Sequence, residues 1–112
     1  NQMGVEGHLE GAIQMGLRYA LMENLVMDGG TTLTTNFLDY KIPTAEDMPP
    51  SESVDIETFE PEGPFGAKEA GEGLAIPTAP AIAHAVFEAT GFRCRELPLT
   101  PERLLRGLGK LK

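Results

Sequence analysis

The chain has a single cysteine, only two histidines, and no apolar run near the length of a membrane span. A lone Cys94 excludes a disulfide framework and any cysteine-based zinc or iron–sulfur site. His8 and His84 lie far apart, and neither has a second ligand at metal spacing, which argues against a histidine-held metal. A bilayer span needs about 20 apolar residues, and no stretch approaches that length. No signal-peptide pattern opens the chain either. Positive charge is scarce: nine lysines and arginines stand against 17 acids, for a net charge of −8. That balance argues against a nucleic-acid surface, which needs basic residues clustered on one face. Internal repeats and low-complexity tracts are absent. These absences fit a cytoplasmic protein in a reducing compartment, its acidity serving solubility.

What is present is ordinary for a globular chain. Of the 112 residues, 41% are hydrophobic and 23% charged, enough for one domain with a modest core. The chain starts at Asn1, without an initiator Met, and enters a helical pattern almost at once. The expectation is a piece of something longer, with residues 1–112 forming a single unit.

From about Glu6 to Val26 the residues Leu9, Ala12, Ile13, Leu17, Ala20, Leu21 and Leu25 recur at helical spacing. Glu10, Gln14, Arg18 and Glu23 fall mostly on the opposite side, and Gln14 and Glu10 are expected in solvent. Gly7 and Gly11 share a face, so another helix or a ligand is expected close to that backbone. Asp28-Gly29-Gly30 is expected to stop the helix. Thr31 to Ile42 reads as extended, and Val54 to Phe59 alternates like a half-buried strand. Thr78 is expected to cap a helix running to about Thr90, closed by Gly91. Arg93 to Leu97 suits a short strand, and Thr100-Pro101-Glu102 is a strong helix start. The order of elements predicts an α+β fold, with helices packed on a small mixed or antiparallel sheet.

Between Pro61 and Pro77 the chain loses periodicity and carries Gly63, Gly66, Gly71 and Gly73. A loop this long in a small domain is commonly functional. It is not a phosphate-binding P-loop, because Lys68 stands where the second glycine belongs and no Gly-Lys-Ser/Thr follows. What it offers is Glu72, a carboxylate between two glycines. Flanking glycines let backbone approach a bulky ligand, and a Glu held in an apolar cavity can serve as a general base. A solvated acid in a Gly-rich surface turn meets the same local pattern and is the commoner arrangement. Lys68, four residues earlier, could pair with Glu72 or with an anionic group, or simply face solvent.

Three separated stretches decide between these readings. They are Val5-Glu6-Gly7-His8-Leu9-Glu10-Gly11-Ala12-Ile13-Gln14-Met15-Gly16-Leu17, then Asn36-Phe37-Leu38-Asp39-Tyr40-Lys41-Ile42-Pro43-Thr44-Ala45, then Gly63-Pro64-Phe65-Gly66-Ala67-Lys68 through Gly71-Glu72. With the closing Arg95-Glu96-Leu97-Pro98-Leu99-Thr100-Pro101-Glu102, they resemble the C-terminal part of the molybdenum-binding large subunit of the xanthine dehydrogenase/aldehyde oxidase group. The resemblance spans nearly the whole chain in the same order. It implies that the chain is a C-terminal fragment of a molybdopterin-binding domain and that Glu72 is the general base of a molybdenum hydroxylase. The implied substrates are an aldehyde, an N-heterocycle or a related compound. It further implies cofactor contacts at His8, Gly66, Ala67, Lys68 and Gly71, and no protein ligand to the metal.

The implied cofactor is molybdopterin, in its cytosine dinucleotide form, bound by the complete enzyme and not by this fragment alone. The implied partners are the remainder of the molybdenum subunit and iron–sulfur and flavin subunits or domains, with self-association of the chain through uncovered apolar faces. Two departures stand out. His8 replaces the Gln that many members carry in a Gly-Gln-x-x-Gly-Gly/Ala motif, and Glu69 and Gly73 replace a small residue and a Pro beside the base. These lean away from a plain xanthine enzyme. A non-catalytic assembly or interaction module derived from the family is the competing expectation.

Overall fold

A computed structural model describes all of residues 1–112. Helix α1 spans Gln2–Leu21 and starts where the Asn1 side chain accepts the Gly4 backbone N–H at 3.3 Å. An Asn in that position satisfies one of the orphan donors of the first turn. The helix ends seven residues before Asp28-Gly29-Gly30, earlier than its periodicity suggests. Those glycines do something else. Gly29 and Gly30 both take positive φ, 53° and 86°, and join strands β1 (Met27–Asp28) and β2 (Thr31–Thr32) as a tight hairpin. Two consecutive left-handed residues match the right-handed twist of paired strands, and glycine adopts them at little cost. The register pairs Met27 with Thr32 and Asp28 with Thr31, antiparallel.

Helix α2 covers Ala75–Thr90 and follows directly on a 3-10 turn at Glu72–Leu74. Thr78 is therefore not its cap. The Thr78 hydroxyl lies inside the first turn and donates back to the Leu74 carbonyl at 2.9 Å. Pro77 explains the earlier start: its fixed φ suits a first turn, and its missing N–H falls among groups that have no helical partner there. Gly91 closes α2 with φ 72° and its N–H on the Phe87 carbonyl at 2.7 Å. Helix α3 (Pro101–Gly107) begins as its sequence predicts, with Thr100 accepting the Arg103 N–H at 3.2 Å.

The architecture is α+β, three helices with one small antiparallel strand pair. Its weight falls on the helices. The strand pair makes no close backbone approach to any helix, whereas α1 packs along α2. The contact face of α1 is built from Ala12, Gly16 and Ala20, all buried and four residues apart. Side chains four apart lie one above another, so three small residues make a smooth stripe on which a second helix can seat. Gly16 is the crossing point, because a Cβ there would overlap the Thr78 side chain. The close approach expected at Gly7 and Gly11 occurs instead further along, at Gly16, and a Cβ at either of those positions would meet open space.

Two expected strands do not form. Val54–Phe59 is extended but pairs with nothing, and Val54, Ile56 and Phe59 are 77–82% exposed. Alternation alone cannot make a strand when no neighbouring edge supplies hydrogen bonds. Arg93–Leu97 is likewise irregular; the segment is held by the Leu99 N–H on the Ala20 carbonyl and by Cys94 Sγ–H on the Glu96 carbonyl. Thr31–Ile42 is extended only at its start, then turns at Asn36, whose side chain accepts the Leu38 N–H at 2.8 Å while its carbonyl accepts the Tyr40 N–H.

Only six residues are buried, and no large side chain is fully enclosed. The radius of gyration is 17.6 Å, against about 13 Å for a compact domain of this length. Phe37, Leu38, Val54, Ile56, Phe59 and Phe65 all stand more than three-quarters exposed. Large apolar surface of this extent marks a contact face.

Candidate active site

The glycine-rich loop leads into the first turn of α2, and its local geometry is unusual. Pro64–Gly66 forms a 3-10 turn in which Phe65 has φ 58° and Gly66 has φ 75°. A left-handed aromatic residue is strained by roughly 1–2 kcal/mol, and the Phe65 ring is fully exposed. Gly66 is pressed against the Phe59 ring, so that a Cβ there would overlap it, and the Gly66 carbonyl accepts the Glu60 N–H at 3.0 Å. The loop is thus pinned at Gly66. Ala67, Lys68, Glu69 and Ala70 then run exposed to Gly71.

Glu72 opens the 3-10 turn that feeds α2, and its side chain is exposed. The turn packs against both α1 and α2, which fixes where the carboxylate is presented. No ion pair joins Lys68 to Glu72; the Lys68 ammonium is uncommitted. Ala75 and Ile76, three and four residues after Glu72, wall an apolar cleft of about 520 Å³ together with Tyr19, Glu23, Ala79 and Leu97. Of the residues singled out in the sequence, Gly66, Ala67, Lys68, Gly71 and Glu72 therefore share one continuous loop. His8 belongs to a separate element. It is exposed on α1, eight residues before the Gly16 crossing, and makes no hydrogen bond or ion pair to the loop.

A polar cluster at the end of α1 carries no sequence signature. Arg18 Nε lies 3.2 Å from Glu23 Oε1, and the Glu23 side chain is only 6% exposed. Tyr40, delivered by the Asn36 turn, sits against them. Its phenol is pushed above its ordinary value, first by desolvation and then by the hydrogen-bonding and negative charge of Glu23. Gln14, expected in solvent, is part-buried and donates to the Pro43 carbonyl at 3.2 Å. Together these contacts tie the Asn36–Pro43 stretch to α1. A spacing of five is not a facing pair on a helix, and Glu23 lies beyond the end of α1, so the chain's local pattern gives no clue to the pairing.

No group of His, Cys, Asp and Glu side chains in the chain could hold a metal ion. The donors on offer are the Lys68 ammonium and backbone N–H groups at glycines on the loop and, on a separate element, the His8 imidazole. Gly7 and Gly11 flank His8 with open space above the helix backbone. Such a set suits a bulky organic group with anionic or carbonyl edges, which brings its metal with it, better than it suits a bare cation.

Comparison with known proteins identifies the family. A family model described as the molybdopterin cofactor-binding domain matches residues 1–49, which include His8. The xanthine dehydrogenase molybdenum-binding subunit of Escherichia coli O157:H7 is 43% identical over 93% of this chain and 14% of its own length. The nicotine 6-hydroxylase large subunit of Paenarthrobacter nicotinovorans is 39% identical over 91% of the chain and 13% of its own length. In structure, quinoline 2-oxidoreductase from Pseudomonas putida 86 superposes on the whole chain with a TM-score of 0.90 at 33% identity, using 15% of that protein. The chain spans about one seventh of the curated relatives it matches. Over that span, it belongs to the family of molybdenum-binding subunits of xanthine dehydrogenase/aldehyde oxidase-type oxidoreductases.

Proposed function

We propose that this chain supplies one wall of a molybdenum hydroxylase active site, with Glu72 as the general base. The observation that carries the reading is the placement of Glu72. Its carboxylate is free of internal partners on a turn held by α1 and α2, one turn ahead of the residues that wall an apolar cleft. The cofactor would be molybdopterin, in the cytosine dinucleotide form, with His8, Gly66, Ala67, Lys68 and Gly71 as the residues of this chain that hold it. When bound, that group supplies the two-electron oxidation and the activated oxygen.

The chain's own part is positional. Lys68 offers an uncommitted positive charge to an anionic group of the cofactor. His8 offers one donor or acceptor from α1, where Gly7 and Gly11 keep the approach clear. The part of Glu72 would be to take up a proton at an Oε atom as general base, held at the edge of the cleft. An apolar cleft beside the base suits a flat heterocycle or an aldehyde. Because Glu72 is exposed here, the enclosure that completes the site comes from the remaining six-sevenths of such a subunit. Iron–sulfur and flavin partners would carry electrons away.

The test is Glu72→Gln in the complete subunit, with molybdenum and pterin content measured alongside turnover. Loss of a positioned base costs about 10²–10⁴-fold in rate. A fall of that size at unchanged cofactor content supports the reading. Unchanged turnover would refute it and leave the second reading, a non-catalytic assembly module, to which His8 in place of the usual Gln points.

A further inference from the structure

We propose that a depression between the Phe92–Glu96 segment and α3 is a binding site for a compact phosphate-type oxyanion, independent of the Glu72 site. Four of the chain's nine basic residues line this one hollow of about 340 Å³: Arg93, Arg95, Arg103 and Arg106. Glu96 is the only acid on its wall. In a chain with a net charge of −8, so local a surplus of positive charge is not a consequence of composition. Holding like charges around one concavity is unfavourable unless an anion shares it.

The fold holds the two pairs of arginines together. The Phe92 ring seats on Gly107, where any Cβ would overlap it, and so locks the end of α3 onto the preceding segment. Arg103 is steadied by a hydrogen bond from Nη1 to the Pro98 carbonyl at 3.0 Å. Arg93 is stacked over the Phe87 ring at 4.0 Å, which fixes its plane and leaves its N–H edge free. Arg106 makes an exposed pair with Glu102 at 2.9 Å, of a kind that contributes little and exchanges readily. Arg95 makes no hydrogen bond or ion pair at all. Planar guanidinium groups with free edges match a tetrahedral oxyanion through paired N–H···O bonds. The depression is open and local, bounded by eight residues, an extent that suits a phosphate or a phosphate ester; an acidic protein face would call for a broader patch.

The experiment is calorimetric or NMR titration of the complete subunit that contains this chain with inorganic phosphate and with adenosine diphosphate, at constant ionic strength against chloride. Saturable binding is expected, weakened at least about tenfold by Arg95→Gln and by Arg106→Gln. Neither substitution removes a buried contact, and circular dichroism confirms that each variant keeps the fold. Lys110→Gln, which removes a charge outside the hollow, is expected to leave the affinity unchanged. Tighter binding of the diphosphate identifies a phosphate ester as the ligand, and equal binding identifies free phosphate; either supports the site. An absence of saturable binding, equal weakening by Lys110→Gln, or binding of an acidic peptide but of neither phosphate probe overturns it.

Discussion

Three glycines in α1 offer a test in which the same substitution has opposite signs. Glycine costs a helix interior about 1 kcal/mol relative to alanine. At Gly7 and Gly11 an added Cβ meets nothing within 4 Å. Each Gly→Ala change there is therefore expected to stabilise the isolated chain by roughly 0.5–1 kcal/mol. At Gly16 the same methyl collides with Thr78, striking its Cβ, methyl and hydroxyl alike. The Thr78 hydroxyl is committed to the Leu74 carbonyl and the Cβ is fixed to the α2 backbone, so neither can swing aside. Overpacking of that kind costs about 1–3 kcal/mol, which offsets the propensity gain and leaves a net loss of up to about 2 kcal/mol.

Thermal or urea denaturation followed by circular dichroism measures both signs. For a domain near this size, 1 kcal/mol moves the midpoint by roughly 4–8 °C. Thr78→Ala in the Gly16→Ala background should restore part of the loss and no more, because the Cβ remains. Stabilisation by Gly16→Ala equal to that of Gly7→Ala would refute the crossing point. In a complete molybdenum subunit, where the cofactor and other residues are proposed to approach His8, the gain at Gly7 and Gly11 should vanish or reverse.

Metal and pterin analysis of the purified 112-residue chain is expected to give close to zero of each per mole, since no metal-holding cluster exists in it; stoichiometric content would overturn the one-wall reading. Glu23→Gln should bring the Tyr40 phenol down towards its ordinary value, read by ultraviolet titration. The sign follows from linkage: a raised folded pKa gives stability that is whole below the ordinary phenol value and lost as pH climbs through the folded one. For Asp47, hydrogen bonds from the Thr44 backbone and hydroxyl lower the carboxyl, so its contribution is present above the ordinary Asp range and lost as pH falls through the lowered value. Thr44→Val should raise the Asp47 value part of the way, as followed by carboxyl NMR. Gln14→Ala strips the Pro43 carbonyl of its donor and should cost about 1–2 kcal/mol in urea denaturation, with no change if that carbonyl is solvated.

The sequence by itself determined the helices, their caps at Gly91 and Thr100, the loop that carries Glu72, and the family, through three ordered stretches whose residue types are tied to one chemistry. Those are local matters: periodicity, a left-handed glycine and a Pro at a helix start act within a few residues. Only the tertiary structure decided which features met. The Gly16–Thr78 crossing depends on two helices sixty residues apart in the chain. The Arg18–Glu23–Tyr40 cluster depends on a turn delivering a tyrosine to the end of α1. Four arginines from two neighbouring segments become one basic hollow because Phe92 docks on Gly107. Val54–Phe59 alternates as a strand should, but backbone hydrogen bonds need a neighbouring edge, and alternation cannot say whether one is there.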